Sequence, residues 1–228
     1  MTLEEATWRI PVDGEETNAQ WDPGPRGSVF VCAHGAGGHM ADRSILALSE
    51  VLRTRGLGVV RFNFLYKAHR SARPDPMPRL LACYTAVVAR VRAELKPRIL
   101  IIGGRSMGGR VASVLASQGA RCDGLLLLAY PLHPPGQPDK LRDAHLAGIP
   151  APVLCINGTR DSFCQQDLMV AVLSRLGSNW RMHWLEGADH GFHVLKRSGR
   201  SDQDILSEVG QEVEAWARSF PGQPPERG

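Results

Sequence analysis

The sequence predicts an α/β fold, a mostly parallel twisted sheet with helices on both faces. Three observations carry the prediction. Short apolar runs rich in Val, Ile and Leu recur along the chain, as strands buried on both faces do. Segments with apolar residues at helical spacing separate them. Small-residue turns follow several of the apolar runs, at the strand ends where such sheets place ligands. A chain of 228 residues can bury a sizeable core as one domain. We read residues 1–220 as that domain and the Pro/Gly-rich residues 221–228 as a disordered tail.

Composition excludes several classes. The net charge of +4 is small for this length and does not call for a nucleic-acid partner. No apolar run is long enough to span a bilayer, so no membrane association is expected. The start Met1-Thr2-Leu3-Glu4-Glu5 is acidic and does not read as a signal peptide. Cys32, Cys83, Cys122, Cys155 and Cys164 are scattered and lack metal-ligand spacing, which predicts a reducing cytoplasm and no metal.

Taken in order, residues 7–12 predict an edge strand, which tolerates Pro11, with a short second strand around residues 19–21. Ser28-Val29-Phe30-Val31-Cys32-Ala33 is a central strand that runs into the turn His34-Gly35-Ala36-Gly37-Gly38. Asp42 can cap a helix through Ile45, Leu48 and Leu52 that Gly56 ends. Residues 57–64 are the next strand, so the crossover is parallel and right-handed. Residues 65–78 read as a long, basic, Pro-rich loop bordering the cleft. A helix over residues 79–95 and a strand over 98–102 follow.

Next comes Gly103-Gly104-Arg105-Ser106-Met107-Gly108-Gly109, with a helix through Val111–Ala116 behind it. Gly104-x-Ser106-x-Gly108 is therefore G-x-S-x-G between a strand and a helix, the context in which that motif presents a nucleophile. Residues 123–129 are a buried strand, and residues 139–147 predict one short helix. No cap domain fits between Ala129 and Pro152. The strand over 152–157 ends at Gly158-Thr159-Arg160-Asp161, where Asp161 either reaches the cleft or caps a helix over 164–176. The strand over 180–185 ends at Glu186-Gly187-Ala188-Asp189-His190-Gly191-Phe192-His193, which offers His190 as a base and His193 as its competitor. His34, at the first turn, reads as a residue that holds its loop. A closing helix spans 202–220.

Ser106, Asp161 and His190 thus occur in the order Ser, Asp, His, each past the end of its own strand. That arrangement resembles the α/β-hydrolase superfamily. A narrower resemblance rests on His34-Gly35-Ala36-Gly37-Gly38, Arg61-Phe62-Asn63-Phe64-x-Tyr66, Pro74-Asp75 and Gly104-x-Ser106-Met107-Gly108-Gly109-Arg110. These resemble the testis-expressed hydrolase-like proteins and the hydrolase-like subunit of a nuclear histone-acetyltransferase complex, near the dienelactone-hydrolase-like enzymes, over about residues 28–218. Dienelactone hydrolases use a cysteine where this chain has Ser106, so their substrate does not carry over.

The expected activity is hydrolysis of small esters without a cofactor. Ser106 is the nucleophile, His190 the base and Asp161 its orienting acid. Met107 N–H and Ala36 N–H, or Gly37 N–H in its place, form the oxyanion hole. Loops 65–78 and 130–138 and the Phe192 turn line an open, shallow cleft, with Tyr66 and Phe192 as substrate contacts. Two alternatives remain: a non-catalytic scaffold on the same fold, or a thioesterase, amidase or acyltransferase using the same site.

Overall fold

The computed structural model describes residues 4–25 and 27–221. The chain forms β1 (Ala6–Val12), β2 (Glu15–Asp22), β3 (Ser28–Ala33), α1 (Arg43–Thr54), β4 (Leu57–Phe62), α2 (Leu65–Ala68) and α3 (Met77–Leu95). It continues through β5 (Ile99–Arg105), α4 (Met107–Ser117), β6 (Gly124–Leu128), β7 (Val153–Gly158), α5 (Gln166–Leu173), β8 (Trp180–Leu185) and α6 (Asp202–Ala217). The eight strands make one sheet in the order β1-β2-β4-β3-β5-β6-β7-β8. β1 pairs antiparallel with β2, and β2 with β4; the pairs from β4 to β8 are parallel. Every residue of β3, β4, β6 and β7 is buried, which is why these strands read as unbroken apolar runs.

The helices divide between the faces. α1 and α6 cover one, burying Ile45, Leu48 and Leu52 with Ile205, Val209 and Val213. α3, α4 and α5 cover the other, where Tyr84, Val87, Val111 and Met169 lie. Tyr84 braces the central strands: its buried hydroxyl is 2.7 Å from the carbonyls of Val31 and Gly103 and accepts from Gly103 N–H.

The structure departs from the expected elements in several places. β2 is longer than expected because its solvent face is polar while Thr17, Ala19 and Trp21 point inward. Residues 65–78 are not all loop: α2 starts them, and the Asp75 carboxylate accepts from Tyr66 N–H at 2.9 Å. The helix expected over 139–147 is absent; turns lead to one 3-10 turn at Leu146–Gly148. Cross-links replace the helical bonds there: Arg142 N–H donates to Leu132 O, and Tyr130 Oη to Arg142 O, each at 2.7 Å. Asp42 precedes α1 but makes no side-chain cap; its carboxylate accepts from His39 N–H. α5 begins at Gln166 rather than near residue 164, so Asp161 does not cap it. The segment between β6 and β7 forms no separate cap domain. The tail expected over 221–228 lies, beyond residue 221, outside the described residues.

Candidate active site

β5 delivers the chain to the carboxyl edge of the sheet, and α4 leads it away. Ser106 stands between them with φ 50° and ψ −115°, a conformation that costs a non-glycine residue about 1–3 kcal/mol. The surroundings hold it there. Ser106 N–H donates to Leu128 O at 2.8 Å, and Ser106 O accepts from Arg110 N–H at 3.1 Å. The elbow also packs against the end of β3. A Cβ on Gly104 would stand 2.3 Å from Ala33 O, and one on Gly108 would stand 2.4 Å from the same atom. No side chain fits at either position.

The Ser106 hydroxyl lies 2.8 Å from His190 Nε2, and His190 Nδ1 lies 2.9 Å from both oxygens of Asp161. The Asp161 side chain is fully buried, while that of His190 is 23 % exposed. The buried carboxylate is not left to the imidazole alone. Asn157 Nδ2 donates to it at 3.1 Å and Phe163 N–H at 2.8 Å. Asn157 is itself pinned to both polar atoms of the Tyr130 backbone at 3.0 Å. A buried, multiply bonded acceptor at Nδ1 fixes the tautomer in which Nε2 is free to take a proton. The Phe163 ring stacks on the imidazole with centroids 4.2 Å apart. Asp189 builds the turn around His190: its Oδ1 accepts from Gly191 N–H at 2.7 Å and His193 N–H at 3.0 Å. Arg105 donates to His190 O at 3.0 Å.

Opposite Ser106 is the turn after β3, closed by Gly38 N–H on Gly35 O at 3.1 Å. Two side chains clamp its peptides. His34 Nε2 accepts from Phe64 N–H at 3.2 Å, which leaves Nδ1 as the donor to Gly35 O at 2.7 Å. Burial pushes His34 down to about 4, so the neutral form that this pattern requires is the stable one. Tyr66 Oη donates to Ala36 O at 2.7 Å, and burial pushes its phenol up to about 12, which keeps the donor proton in place. In a trans peptide the N–H points away from its carbonyl. Fixing Gly35 O therefore fixes the direction of Ala36 N–H, and fixing Ala36 O that of Gly37 N–H. Met107 N–H, first in α4, has no intrahelical acceptor. Below them, Asn63 Oδ1 accepts from Met40 N–H, and Arg61, paired with buried Asp22, donates to Met40 O.

The structure thus brings Ser106, His190 and Asp161 into one bonded line beside a cleft of about 330 Å³, lined in part by Gly35, Ala36, Gly37 and Phe163. Tyr66 and Phe192, expected as substrate contacts, are elsewhere. Tyr66 is 3 % exposed, behind the turn it clamps. Phe192 is 6 % exposed, under the Arg105 guanidinium at 5.5 Å, and faces a different cavity. Phe163, Asn157 and Arg105 were missed in the sequence. Phe163 lies two residues beyond Asp161 and Arg105 precedes the serine; both positions could have suggested them, but Asn157 gave no signal.

The other histidines are held away from the cleft. His193 meets Asp202 at 2.6 Å, His183 meets Glu208 at 2.7 Å, and His133 Nδ1 donates to Pro134 O at 2.8 Å. His145 Nε2 lies 2.7 Å from Ser113 Oγ, a second Ser–His contact. Ser113, however, is fully buried within α4 and bonds back to Arg110 O, and no carboxylate holds the far side of His145 among the described residues. That pair ties residues 139–148 to α4. Among the described residues no group of three or more His, Cys, Asp or Glu side chains is placed to hold a metal ion.

A serine on a strand-to-helix elbow, bonded to a histidine and a buried aspartate at the edge of a parallel sheet, defines an α/β protein of the hydrolase type. The α/β-hydrolase domain model matches residues 26–218, and the chain belongs to that family. Solved structures share the fold at low identity. An α/β serine hydrolase without a lid from Xanthomonas campestris is 20 % identical, with 98 % of this chain and 99 % of that chain covered and a TM-score of 0.77. Est1E from Butyrivibrio proteoclasticus is 17 % identical over 93 % of this chain and 97 % of that one, with a TM-score of 0.74. A dienelactone hydrolase from Anabaena variabilis is 19 % identical over 95 % and 98 %, with a TM-score of 0.71.

Proposed function

We propose that this protein is a carboxylesterase-like serine hydrolase that cleaves small esters through an acyl-enzyme. The observation that carries the reading is the unbroken line Ser106–His190–Asp161, with 2.8 and 2.9 Å links and the acid buried. Ser106 Oγ attacks the ester carbonyl as its proton passes to His190 Nε2. Asp161 stabilises the imidazolium. Ala36 N–H and Met107 N–H receive the oxyanion; one such donor contributes about 3 kcal/mol. The tetrahedral adduct collapses, the C–O bond breaks, and His190 returns the proton to the departing alcohol oxygen. Water then attacks the acyl carbon as it gives a proton to His190; the second adduct collapses, its bond to Ser106 Oγ breaks, and His190 returns the proton to that oxygen, which releases the acid and free Ser106. No step needs a cofactor.

The finer kinship to the testis-expressed hydrolase-like proteins and the acetyltransferase-complex subunit is part of the proposal. It is supported by what Tyr66, Arg61 and Asn63 do: Tyr66 clamps the turn opposite Ser106, and the other two hold the Met40 backbone just beyond that turn. The five cysteines, all free, support the cytoplasm as its location. Labelling by a fluorophosphonate, followed by a panel of acetyl esters, thioesters and amides, tests the reading. Ser106-dependent labelling with ester turnover is expected; an unlabelled, inactive protein would leave the scaffold reading.

A further inference from the structure

We propose that Arg105, the residue before the nucleophile, is a positioning residue that sets the distance between Ser106 and its base by holding the backbone of His190. The proposal rests on the serine-hydrolase reading above.

His190 lies in the turn 189–193, whose own bonds give it shape. Phe192 N–H donates to Asp189 O at 2.9 Å and Asp189 N–H to His193 O at 3.0 Å, while Gly191 and His193 N–H both donate to Asp189 Oδ1. None of these bonds locates the turn relative to the sheet. The ends are anchored: Arg160 N–H donates to Ala188 O at 2.9 Å before it, and Val194 N–H to Asp202 Oδ1 at 3.1 Å after it. Between those anchors, among the described residues, a single hydrogen bond reaches the backbone of the turn from outside: Arg105 Nη2 donates to His190 O at 3.0 Å. The same guanidinium lies over the Phe192 ring, 5.5 Å from its centroid, so it grips the turn at two points.

The other end of the link is equally well defined. Arg105 is the last residue of β5, paired with Leu128 of β6, and Leu128 O also accepts from Ser106 N–H at 2.8 Å. One side chain therefore spans from the strand that carries the nucleophile to the carbonyl of the base. The bonds from Asp161 and the stacked Phe163 ring orient the imidazole. Arg105 places the backbone that bears it. A base has to stand within hydrogen-bond reach of the proton it takes, and the 2.8 Å contact between Ser106 and His190 is the distance this link sets.

A cation beside a residue that must become an imidazolium would oppose the reaction if it stood alone. Arg105 does not: burial pulls its pKa down, and the nearby Asp189 and Asp161 carboxylates act in the other direction. Those two negative charges offset the guanidinium, so it can serve as a fixed donor next to the base.

Arg105→Met removes the donor and keeps an apolar chain over Phe192. In steady-state hydrolysis of 4-nitrophenyl acetate its kcat should fall roughly tenfold at constant KM, since a misplacement of about 1 Å costs about 10²-fold and Asp161 and Phe163 still hold the ring. Arg105→Lys, which can donate to the same carbonyl, should recover most of the loss. The decisive comparison repeats Arg105→Met in a His190→Ala background, where slow turnover persists through the oxyanion hole. There the substitution should cost less than about twofold, because no imidazole remains to be placed. Urea unfolding of each variant checks that it folds, and Arg105→Ala takes the place of the Met variant if that one does not. An equal loss in both backgrounds, or an unchanged kcat when His190 is present, would overturn the proposal. A raised KM at constant kcat would make Arg105 a substrate contact and overturn it too. A wild type that neither turns over the ester nor labels with a fluorophosphonate would remove the hydrolase reading itself; an active wild type with any of the other adverse results would remove the role of Arg105 alone.

Discussion

Tyr66→Phe deletes one hydroxyl and keeps the ring, whose contacts with His34 and Phe64 at centroid distances of 5.9 and 6.4 Å are unaffected. What is lost is the 2.7 Å bond to Ala36 O, which holds the middle peptide of the turn opposite Ser106. A neutral hydrogen bond of this kind contributes about 1 kcal/mol net, so the variant should lose about that much stability. The catalytic loss has a ceiling: complete removal of one oxyanion donor costs about 3 kcal/mol, or roughly 150-fold in rate. The variant should not reach it, because His34 still holds Gly35 O and Gly38 N–H still closes the turn. If the turn loosens by the about 1 kcal/mol that the bond supplied, kcat falls about fivefold. KM should stay constant, since the donors act on the charge that develops in the transition state. Steady-state hydrolysis of 4-nitrophenyl acetate, with a urea unfolding curve for the same variant, measures both. Unchanged kcat alongside the stability loss would show that the clamp does not matter to the chemistry. A raised KM with unchanged kcat would return Tyr66 to the substrate-contact role that its sequence position suggested.

Other consequences follow from the same geometry. Ser106→Ala should abolish fluorophosphonate labelling and ester turnover and leave the thermal midpoint near that of the wild type, because the hydroxyl faces a cleft and no cavity opens in the core. Asp161→Asn should lower kcat by about 10⁴ by wrong-tautomer capture of His190, whereas Asp189→Asn, whose Oδ1 can still accept from Gly191 and His193, should cost far less; the reverse ranking in steady-state kinetics would contradict the assignment. His34 should make stability pH-dependent. Its pKa falls from 6.5 to about 4 on folding, so between those values the unfolded chain binds the extra proton and stability drops as pH falls, by up to about 3 kcal/mol. Urea unfolding at pH 7.5 and 4.5 should show that loss in the wild type and less of it in His34→Gln. With a cleft of about 330 Å³ beside Ser106, kcat/KM for 4-nitrophenyl esters should peak at about C2–C4, since a methylene gains about 0.8 kcal/mol only where it is buried; a steady rise to C12 would reveal a tunnel.

The fold was legible where burial is uniform. Strands β3 to β7 are buried on both faces, so their apolar runs stand out without any knowledge of their partners. The order Ser106, Asp161, His190 was legible for a related reason: each residue follows such a run, and parallel strands bring all their carboxyl ends to one edge. What failed to show depends on contacts distant in sequence. β2 has a wet face that dilutes its apolar signal. Residues 139–148 are held by hydrogen bonds of Arg142 with Tyr130 and Leu132 and of His145 with Ser113, which local propensity does not register. Tyr66 and Phe192 were placed near the site by the right argument, that their loops leave strand ends, but which way a side chain points is decided by its partners. Tyr66 turns inward to Ala36 O, and Phe192 turns under Arg105.

Strain shows how the sheet edge is used. Among the described residues, six non-glycine residues have positive φ. Asp13 turns the β1–β2 hairpin, Lys96 ends α3 and Arg70 follows α2, places where the chain merely reverses or stops. The other three, Ser106, Ala129 and Phe192, follow the carboxyl ends of β5, β6 and β8. Each is fixed by a backbone bond: Ser106 N–H to Leu128 O, Ala129 N–H to Ile156 O, and Phe192 N–H to Asp189 O, all between 2.8 and 2.9 Å. Two of those acceptors belong to neighbouring strands, so the sheet itself holds the strained residues. Conformations costing about 1–3 kcal/mol each persist only in a frame that over-determines them. Here the frame lifts the Ser106 hydroxyl toward His190 without waiting for substrate to order it, so the nucleophile is already positioned on its base.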